Sequence, residues 1–498
     1  MNIGNYKIMP PIDSRASLLL LPSNNDMNEN PENISFDDNA FNDPTFIAFV
    51  EHHIDESNLH FNQKNIKPYE NSLYQIVNLL NNKFIPNNCL TLQRGNFFQN
   101  ILQAYLINVE NEKIIKYSTQ ILNILSSNYE ICHQFDELEF FQIIEKFISP
   151  YNSKFRLRRI SQEYSYDLIG VLRNFACYRE FHSKFTPSMI LYTSNAIQNA
   201  YSMRSYQFPM MFFETYTSFP IEIDENVNPS EKQKCIAFRN SLILPIYEII
   251  GWFCASPQLV TTHQTEQSGV LAVIHQSAAH IIFNLIKNKN VIMKQFFGYD
   301  KAIVSFIKHF FLVSKYLVMA VGLFAYHYPD QFDLLGILPS DFVDAFKKGK
   351  DVNSGEDYLK FTCYSLIHVI EKNRNVVEGN QEIHSIIEFL VMNYDGKEYL
   401  TKYFMFLLLC EIYSYLPFPI YNEDYILFIL DESPSFISEN NGEATQLIIP
   451  VIKRIHEYIE INNKIEKYID PFNECVQSIL SNSECNDRDQ ISIPQFVL

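Results

Sequence analysis

From residue 43 onward, apolar side chains recur at intervals of three and four. Leu73, Ile76, Val77 and Leu80 form one such stripe, and Ile114, Ile115, Tyr117, Ile121, Leu122 and Leu125 form another. This is the period of an amphipathic helix, and no run alternates in the way a half-buried strand requires. About twenty helices are expected on that rule, with an all-α fold. Three start signals share one chemistry: Asp43-Pro44, Thr186-Pro187 and Asn228-Pro229 each place a capping side chain before a proline at the first helical position. Asp136 and Ser354 are read as further caps, with Asp136, Glu137 and Glu139 complementing the positive end of the helix dipole. Ile303, Phe306, Phe310, Val313, Leu317, Ala320 and Phe324 make one long stripe, with Ile307, Phe311, Val318 and Leu323 on the other faces. A helix of that kind is buried on most sides. The expected loops are Ile221–Lys232, Ser256–Gly269 and Glu432–Gly442.

Outside this region the pattern fades. Residues 1–42 are rich in Asn, Asp, Pro and Ser with weak apolar periodicity, the mark of a disordered arm. The organisation read from the chain is therefore an arm at 1–42, a helical body at 43–480 and a polar tail at 481–498 that ends in apolar residues. For Pro494-Gln495-Phe496-Val497-Leu498, a cap folded back on the last helices is preferred to a ligand that adds as a strand to a partner's sheet edge.

Composition narrows the classes. At 498 residues the chain exceeds the ~250–300 at which a single compact core stops growing. Several domains or an elongated array follow. The 41 Phe and 30 Tyr supply core material, while only 13 Gly leave little for turns or phosphate-cradling loops. A formal charge of −18 opposes nucleic acid and anionic lipid surfaces and suits basic protein or peptide partners. Nine cysteines without a C-x-x-C pair read as reduced thiols of a cytoplasmic chain, a nuclear location staying open. No secretory signal is expected at the N-terminus. Neither Gln267–Ile286, where Gln276, His280 and Asn284 share a stripe, nor Lys315–Asp330 reads as a membrane span.

Some local wording resembles the armadillo and HEAT repeats. Val171-Leu172-Arg173-Asn174-Phe175-Ala176 resembles the closing helix of an armadillo repeat, and Ile121-Leu122-Asn123 and Ile282-Phe283-Asn284 are similar. Leu244-Pro245-Ile246 and Ile449-Pro450-Val451 resemble the proline-kinked first helix of a HEAT repeat. The resemblance implies an α-solenoid of stacked helix pairs or triplets, with room for roughly ten repeats of ~40–47 residues. It further implies a non-enzymatic scaffold that binds proteins, with Asn174, Asn284 and His280 as contact residues. In peptide-binding armadillo proteins a tryptophan precedes the ladder asparagine by four positions; here those positions hold Thr119, Gly170 and His280. A nuclear-signal ladder is therefore not expected.

Little catalytic chemistry is expected. His263, His275 and His280 lack the i, i+3 or i+4 spacing of a helical metal site, and no metal or cofactor is expected. Nucleotide-binding, zincin, hydrolase and kinase patterns are missing from the sequence. The alternative class is a helical regulatory enzyme or exchange factor without a local motif. One compact basic cluster stands out, with Arg156, Arg158 and Arg159 followed by Ser161 in an R-R-x-S context. Those arginines are candidate receivers of an acidic peptide or phosphate. Ser161 is a phosphorylation candidate whose modification would partly neutralise them.

Overall fold

The computed structural model describes residues 44–83, 93–107, 110–149, 162–198, 203–221, 229–255, 268–298, 301–312, 314–349, 355–377, 381–418, 421–437 and 442–482. Every regular element among them is a helix. The described residues fall into two compact units, one ending at Phe306 and the other beginning at Ile307. The arm at 1–42, the cluster Arg156, Arg158, Arg159 and Ser161, and the C-terminal ending lie outside the described residues, as does His263.

The first unit contains α1 (Pro44–Asn62), α2 (Ile66–Lys83), α3 (Phe97–Ile107), α4 (Glu112–Leu125), α5 (Tyr129–Glu137), α6 (Phe140–Ile148), α7 (Gln162–Ala176), α8 (Pro187–Gln198), α9 (Met203–Thr217), α10 (Pro229–Ala255), α11 (Ser268–Lys287) and α12 (Met293–Phe296). A 3₁₀ segment, Arg179–Lys184, joins α7 to α8. Two rows run through the unit. In one, α2 packs on α4, α4 on α7, α7 on α9 and α9 on α11; in the other, α1, α3, α6, α8 and α10 pack in succession. Apolar stripes at helical spacing account for both rows, since each helix must cover a neighbour on either side. Ile114, Ile121, Leu122 and Leu125 of α4, for example, are fully buried.

Helix α13 (Ala302–Phe310) spans the division between the units. The second unit continues with α14 (Lys315–His327), α15 (Pro339–Gly349), α16 (Gly355–Lys372), α17 (Gln381–Met392), α18 (Tyr399–Tyr415), α19 (Glu423–Phe436), α20 (Gly442–Ile461) and α21 (Ile465–Asn482). Here α14, α16, α18 and α20 pack in succession, α15 packs on α17, and α19 on α21. The four helices of the longer row begin at Lys315, Gly355, Tyr399 and Gly442, a spacing of about 40–45 residues that falls in the range of two-helix repeats. The row is deeply apolar: Leu317 to Ala325 of α14 and Tyr403 to Tyr413 of α18 are buried without interruption.

Several expectations need correction. Pro44, Pro187 and Pro229 do begin helices, but the hydroxyl of Thr186 is buried without a partner and does not cap α8. Asp136 and Glu137 end α5 instead of starting a helix, because the chain reverses at Glu139, whose φ is +62°. The Asp136 carboxylate pairs with Lys184 across the unit. The long stripe from Ile303 to Phe324 is two helices: α13 stops at Phe310, and α14 restarts after Ser314, which takes an extended conformation. The expected loops are shorter than drawn, since residues 229–232 open α10, Ser268 opens α11, and α19 runs on to Phe436. Inside α19 the Ser433 hydroxyl donates to Ile429 O at 2.6 Å, one position before a proline that cannot donate. Pro245 and Pro450 lie inside α10 and α20 as expected.

Candidate functional site: a polar seam and a cationic cavity

The asparagines of the repeat-like wording fall on one row. Asn123 is in the last turn of α4, Asn174 in α7 and Asn284 in α11. The amides of Asn174 and Asn284 face the preceding helix of that row. Asn174 Nδ2 donates to Asn123 O at 3.0 Å and to Ser126 Oγ at 2.9 Å. Asn284, 1% exposed, donates to Glu214 O at 3.2 Å, and Asn288 donates to Thr217 O at 2.8 Å. The carbonyls they reach are in the last turns of α4 and α9, where backbone donors run out; Asn123 O and Glu214 O also accept from the local Ser126 and Thr217 hydroxyls. Gly170 belongs to the same seam, for a Cβ there would lie 2.5 Å from Asn123 Oδ1.

His280 sits beside Asn284 and bonds the Glu214 carboxylate, Nδ1 to Oε1, at 2.7 Å. Ser277 donates to Glu214 Oε2 at 2.6 Å. Burial pushes the Glu214 carboxyl up, but the hydrogen bonds from His280 and Ser277 and the charges of His280 and Arg173 outweigh it. The net position is below the ordinary carboxylate value. Although Ser, His and Glu meet here, the serine gives its proton to the carboxylate and not to an imidazole. A nucleophile needs the reverse order, with the imidazole next to the hydroxyl and the acid behind it. The cluster therefore reads as a half-buried polar tie between α9 and α11.

A second feature was not visible in the sequence. The 3₁₀ segment, the end of α9 with the residues after it, and the opening turns of α10 border a half-open cavity of about 770 Å³. The 3₁₀ segment is held from three sides. Phe181, 1% exposed, packs against Phe141 and Phe175; Glu180 accepts from His133 at 3.1 Å; Lys184 pairs with Asp136. Thus fixed, it presents Arg179 and His182 to the cavity, and α10 adds Lys234 and Arg239. Among the described residues the lining holds one carboxylate, Glu180, which is bonded to His133.

The His182 ring stacks on Tyr216 with centroids 5.2 Å apart and planes 3° from parallel. Its Nε2 is 2.7 Å from Ala176 O and must carry the proton it donates. Burial pushes the imidazole below its ordinary pKa; the Ala176 bond opposes that shift and the Arg179 charge adds to it. The ring is accordingly neutral near pH 7, and Nδ1 is a buried acceptor with no partner among the described residues. Arg239 Nε is likewise buried without a partner. Phe238, half exposed, and the buried Leu242 and Tyr216 give the cavity an apolar side.

Sequence reading missed this site because its parts come from three segments, near 180, 220 and 240. The single local signal was the spacing of Lys234, Phe238 and Leu242 at i, i+4 and i+8 on one face of α10. Of the residues singled out earlier, Asn174, Asn284 and His280 share a row, and none lines the cavity. Among the described residues no group of three His, Cys, Asp or Glu could hold a metal ion. No described helix is long and apolar enough to cross a membrane. Compared with family models and with curated proteins, the sequence matches none of them.

Proposed function

We propose that the chain is an armadillo- or HEAT-like α-solenoid that acts as a non-enzymatic scaffold for protein partners. The observation that carries this reading is the succession of packed helices in rows, most of them on the helix two places along, with the longer row of the second unit spaced at the period of helix-pair repeats. Arrays of that kind make extended surfaces as a consequence of stacking, and binding is what such surfaces do best. The Ser277–Glu214–His280 cluster has the wrong bonding order for a nucleophile and serves the packing of α9 on α11. The formal charge of −18 weighs against nucleic acid.

The test is reconstitution. The full-length chain is cross-linked in its native extract, the captured protein is purified separately, and the two are recombined. A complex of fixed stoichiometry whose cross-links map to one helical row or to the cavity is expected. Failure to form any complex from purified components, together with turnover of a substrate by the chain alone, would overturn the reading.

A further inference from the structure

We propose that the exposed face of α1 is a self-complementary surface through which two copies of this chain pair, helix against helix and antiparallel. Pairing of this kind goes beyond the scaffold reading and does not depend on it.

Spacing comes first. Helix α1 buries Val50, Ile54 and Ser57 against its own unit. Its opposite side carries Phe49, His52, Glu56 and Leu59, at intervals of three, four and three. That is the a, d, a, d order of a coiled-coil seam. Phe49 and Leu59 are each 52% exposed, and the side chains of His52 and Glu56 are 62% and 39% exposed. Two large apolar side chains therefore stand in water at the ends of a stripe whose middle is polar, about 15 Å apart along the helix. Order comes second, and it decides the occupant. Phe49 and Leu59 lie five places to either side of Ile54, and His52 and Glu56 lie two places to either side. A two-fold axis beside Ile54 sets Phe49 of one copy against Leu59 of the other, and His52 against Glu56, so that every layer matches. A parallel pair would set Glu56 on Glu56, like on like. A partner of another sequence would not need the stripe to complement its own reverse.

Charge is the third observation. Glu51 and Asp55, along one edge of this side, both pair with Arg94 at 2.9 Å, and His53 bonds Glu56 at 3.1 Å. His52 Nε2 lies 3.5 Å from Glu56 Oε1 of its own helix, wider than a well-formed hydrogen bond, and a reversed second copy brings another Glu56 to the same ring. Each copy carries −18, but at physiological salt charges interact over only ~8 Å, a range filled here by the stripe and its neutralised edge. Helix α1, with 19 residues, is about 28 Å long. Its pairing therefore belongs at the small, transient end of interfaces, with a Kd on the order of 10 µM. The rival occupant is a segment of the same chain, such as the residues before Pro44, and dependence on concentration separates the two.

The experiment is sedimentation velocity on the full-length chain from about 1 to 100 µM, a range that brackets that Kd. A monomer–dimer equilibrium is expected. Phe49→Asp and Leu59→Asp change exposed side chains, so each should weaken the dimer about tenfold or more while the far-UV spectrum and the thermal melt stay as they are. His52→Glu sets a carboxylate against Glu56 of the other copy and should weaken it about tenfold as well. The double change His52→Glu with Glu56→Lys restores opposite charges across an antiparallel pair and should return the dimer; in a parallel pair it would set like against like. The proposal is overturned if the chain stays monomeric at about 100 µM, which would leave the stripe to a segment of the same chain or to solvent. It is equally overturned if a dimer forms that Phe49→Asp and Leu59→Asp leave intact, or if the double change does not restore what His52→Glu removes.

Discussion

Replacing Gly322 by alanine tests how closely the second unit is packed. A Cβ at this position in α14 would lie 2.6 Å from Ser365 Cα and 2.7 Å from Ser365 Oγ on α16. The first of these is backbone and cannot rotate aside, so α14 and α16 must separate. Three terms set the size of the effect. Alanine is favoured over glycine in a helix interior by about 1 kcal/mol. Inserting a methyl into a filled core costs about 1–3 kcal/mol. Separation also stretches the bond from Ser365 Oγ to Val318 O, now 2.6 Å, and such a bond contributes about 0.5–1.5 kcal/mol. The net is a loss of about 2 kcal/mol, taking the middle of each range. In a unit of this size that corresponds to a fall in melting temperature of about 4–8 °C. Far-UV circular dichroism on heating, repeated in urea, measures it. Gly170→Ala is the control, because its Cβ meets the terminal oxygen of Asn123, a side chain able to turn away. It should be close to neutral. If Gly322→Ala melts at or above the native temperature, backbone contact does not limit the α14–α16 approach and the reasoning fails.

Three other outcomes follow from the same contacts. Asn284→Ala should cost about 1–3 kcal/mol, since it strips the Glu214 carbonyl and Thr217 of a buried donor; the check is a urea titration, and a loss below 0.5 kcal/mol would contradict it. Glu214, held below the ordinary carboxylate value, contributes stability that is fully present above its unfolded pKa of about 4.5 and is lost as pH falls through its lowered folded value. The stability difference between the native chain and Glu214→Gln should therefore shrink between about pH 5 and pH 3, and a gap that widens on acidification would show the sign to be wrong. Lys360 is 3% exposed and pairs with Asp357 at 2.7 Å, so Asp357→Asn should cost about 3–5 kcal/mol by leaving a buried cation without its carboxylate. The double change Asp357→Asn with Lys360→Met should recover most of that loss, and equal melting of the single and double variants would refute the pairing.

Helices were legible because their signals are local. Spacing at three and four and a proline after a capping residue need no knowledge of the rest of the chain, and Pro44, Pro187 and Pro229 all begin helices. Errors arose where a local signal has two readings. Acidic residues suit a helix start, yet Asp136 and Glu137 stand at an end, a placement supported for Asp136 by Lys184, which lies far along the chain. Continuous apolar spacing from Ile303 to Phe324 could not show the interruption at Ser314, because the spacing reads the same for one helix as for two; α14 is buried on every face from Leu317 to Ala325, while Ser305, Lys308 and His309 of α13 are exposed. The cavity was illegible for a stronger reason. Arg179, Tyr216 and Arg239 have no sequence relation and meet only because α7, α8, α9 and α10 pack as they do. The asparagines were found by their local wording, but which atoms they would bond depended on the preceding helix of the row.

That dependence on the preceding helix has a bearing on how the chain folds. Asn123 O at the end of α4 accepts from Asn174 of α7, and Glu214 O and Thr217 O at the end of α9 accept from Asn284 of α11 and from Asn288 just after it. In the second unit Arg454 of α20 closes Leu416 at the end of α18, while Glu356 of α16 accepts from the Glu398 amide at the start of α18. Several helix ends in this chain are thus tied to a neighbour in the row, at some ends the following helix and at others the preceding one. During synthesis from the N-terminus the last turn of α9 would gain its outside donors only when α11 emerges. A truncation placed between α9 and α11 therefore removes more than the deleted residues, for it also loosens the last turn of α9. Fragments should be most stable where a last turn closes on its own residues, and lengthening the connection between two packed helices should be tolerated far better than cutting it.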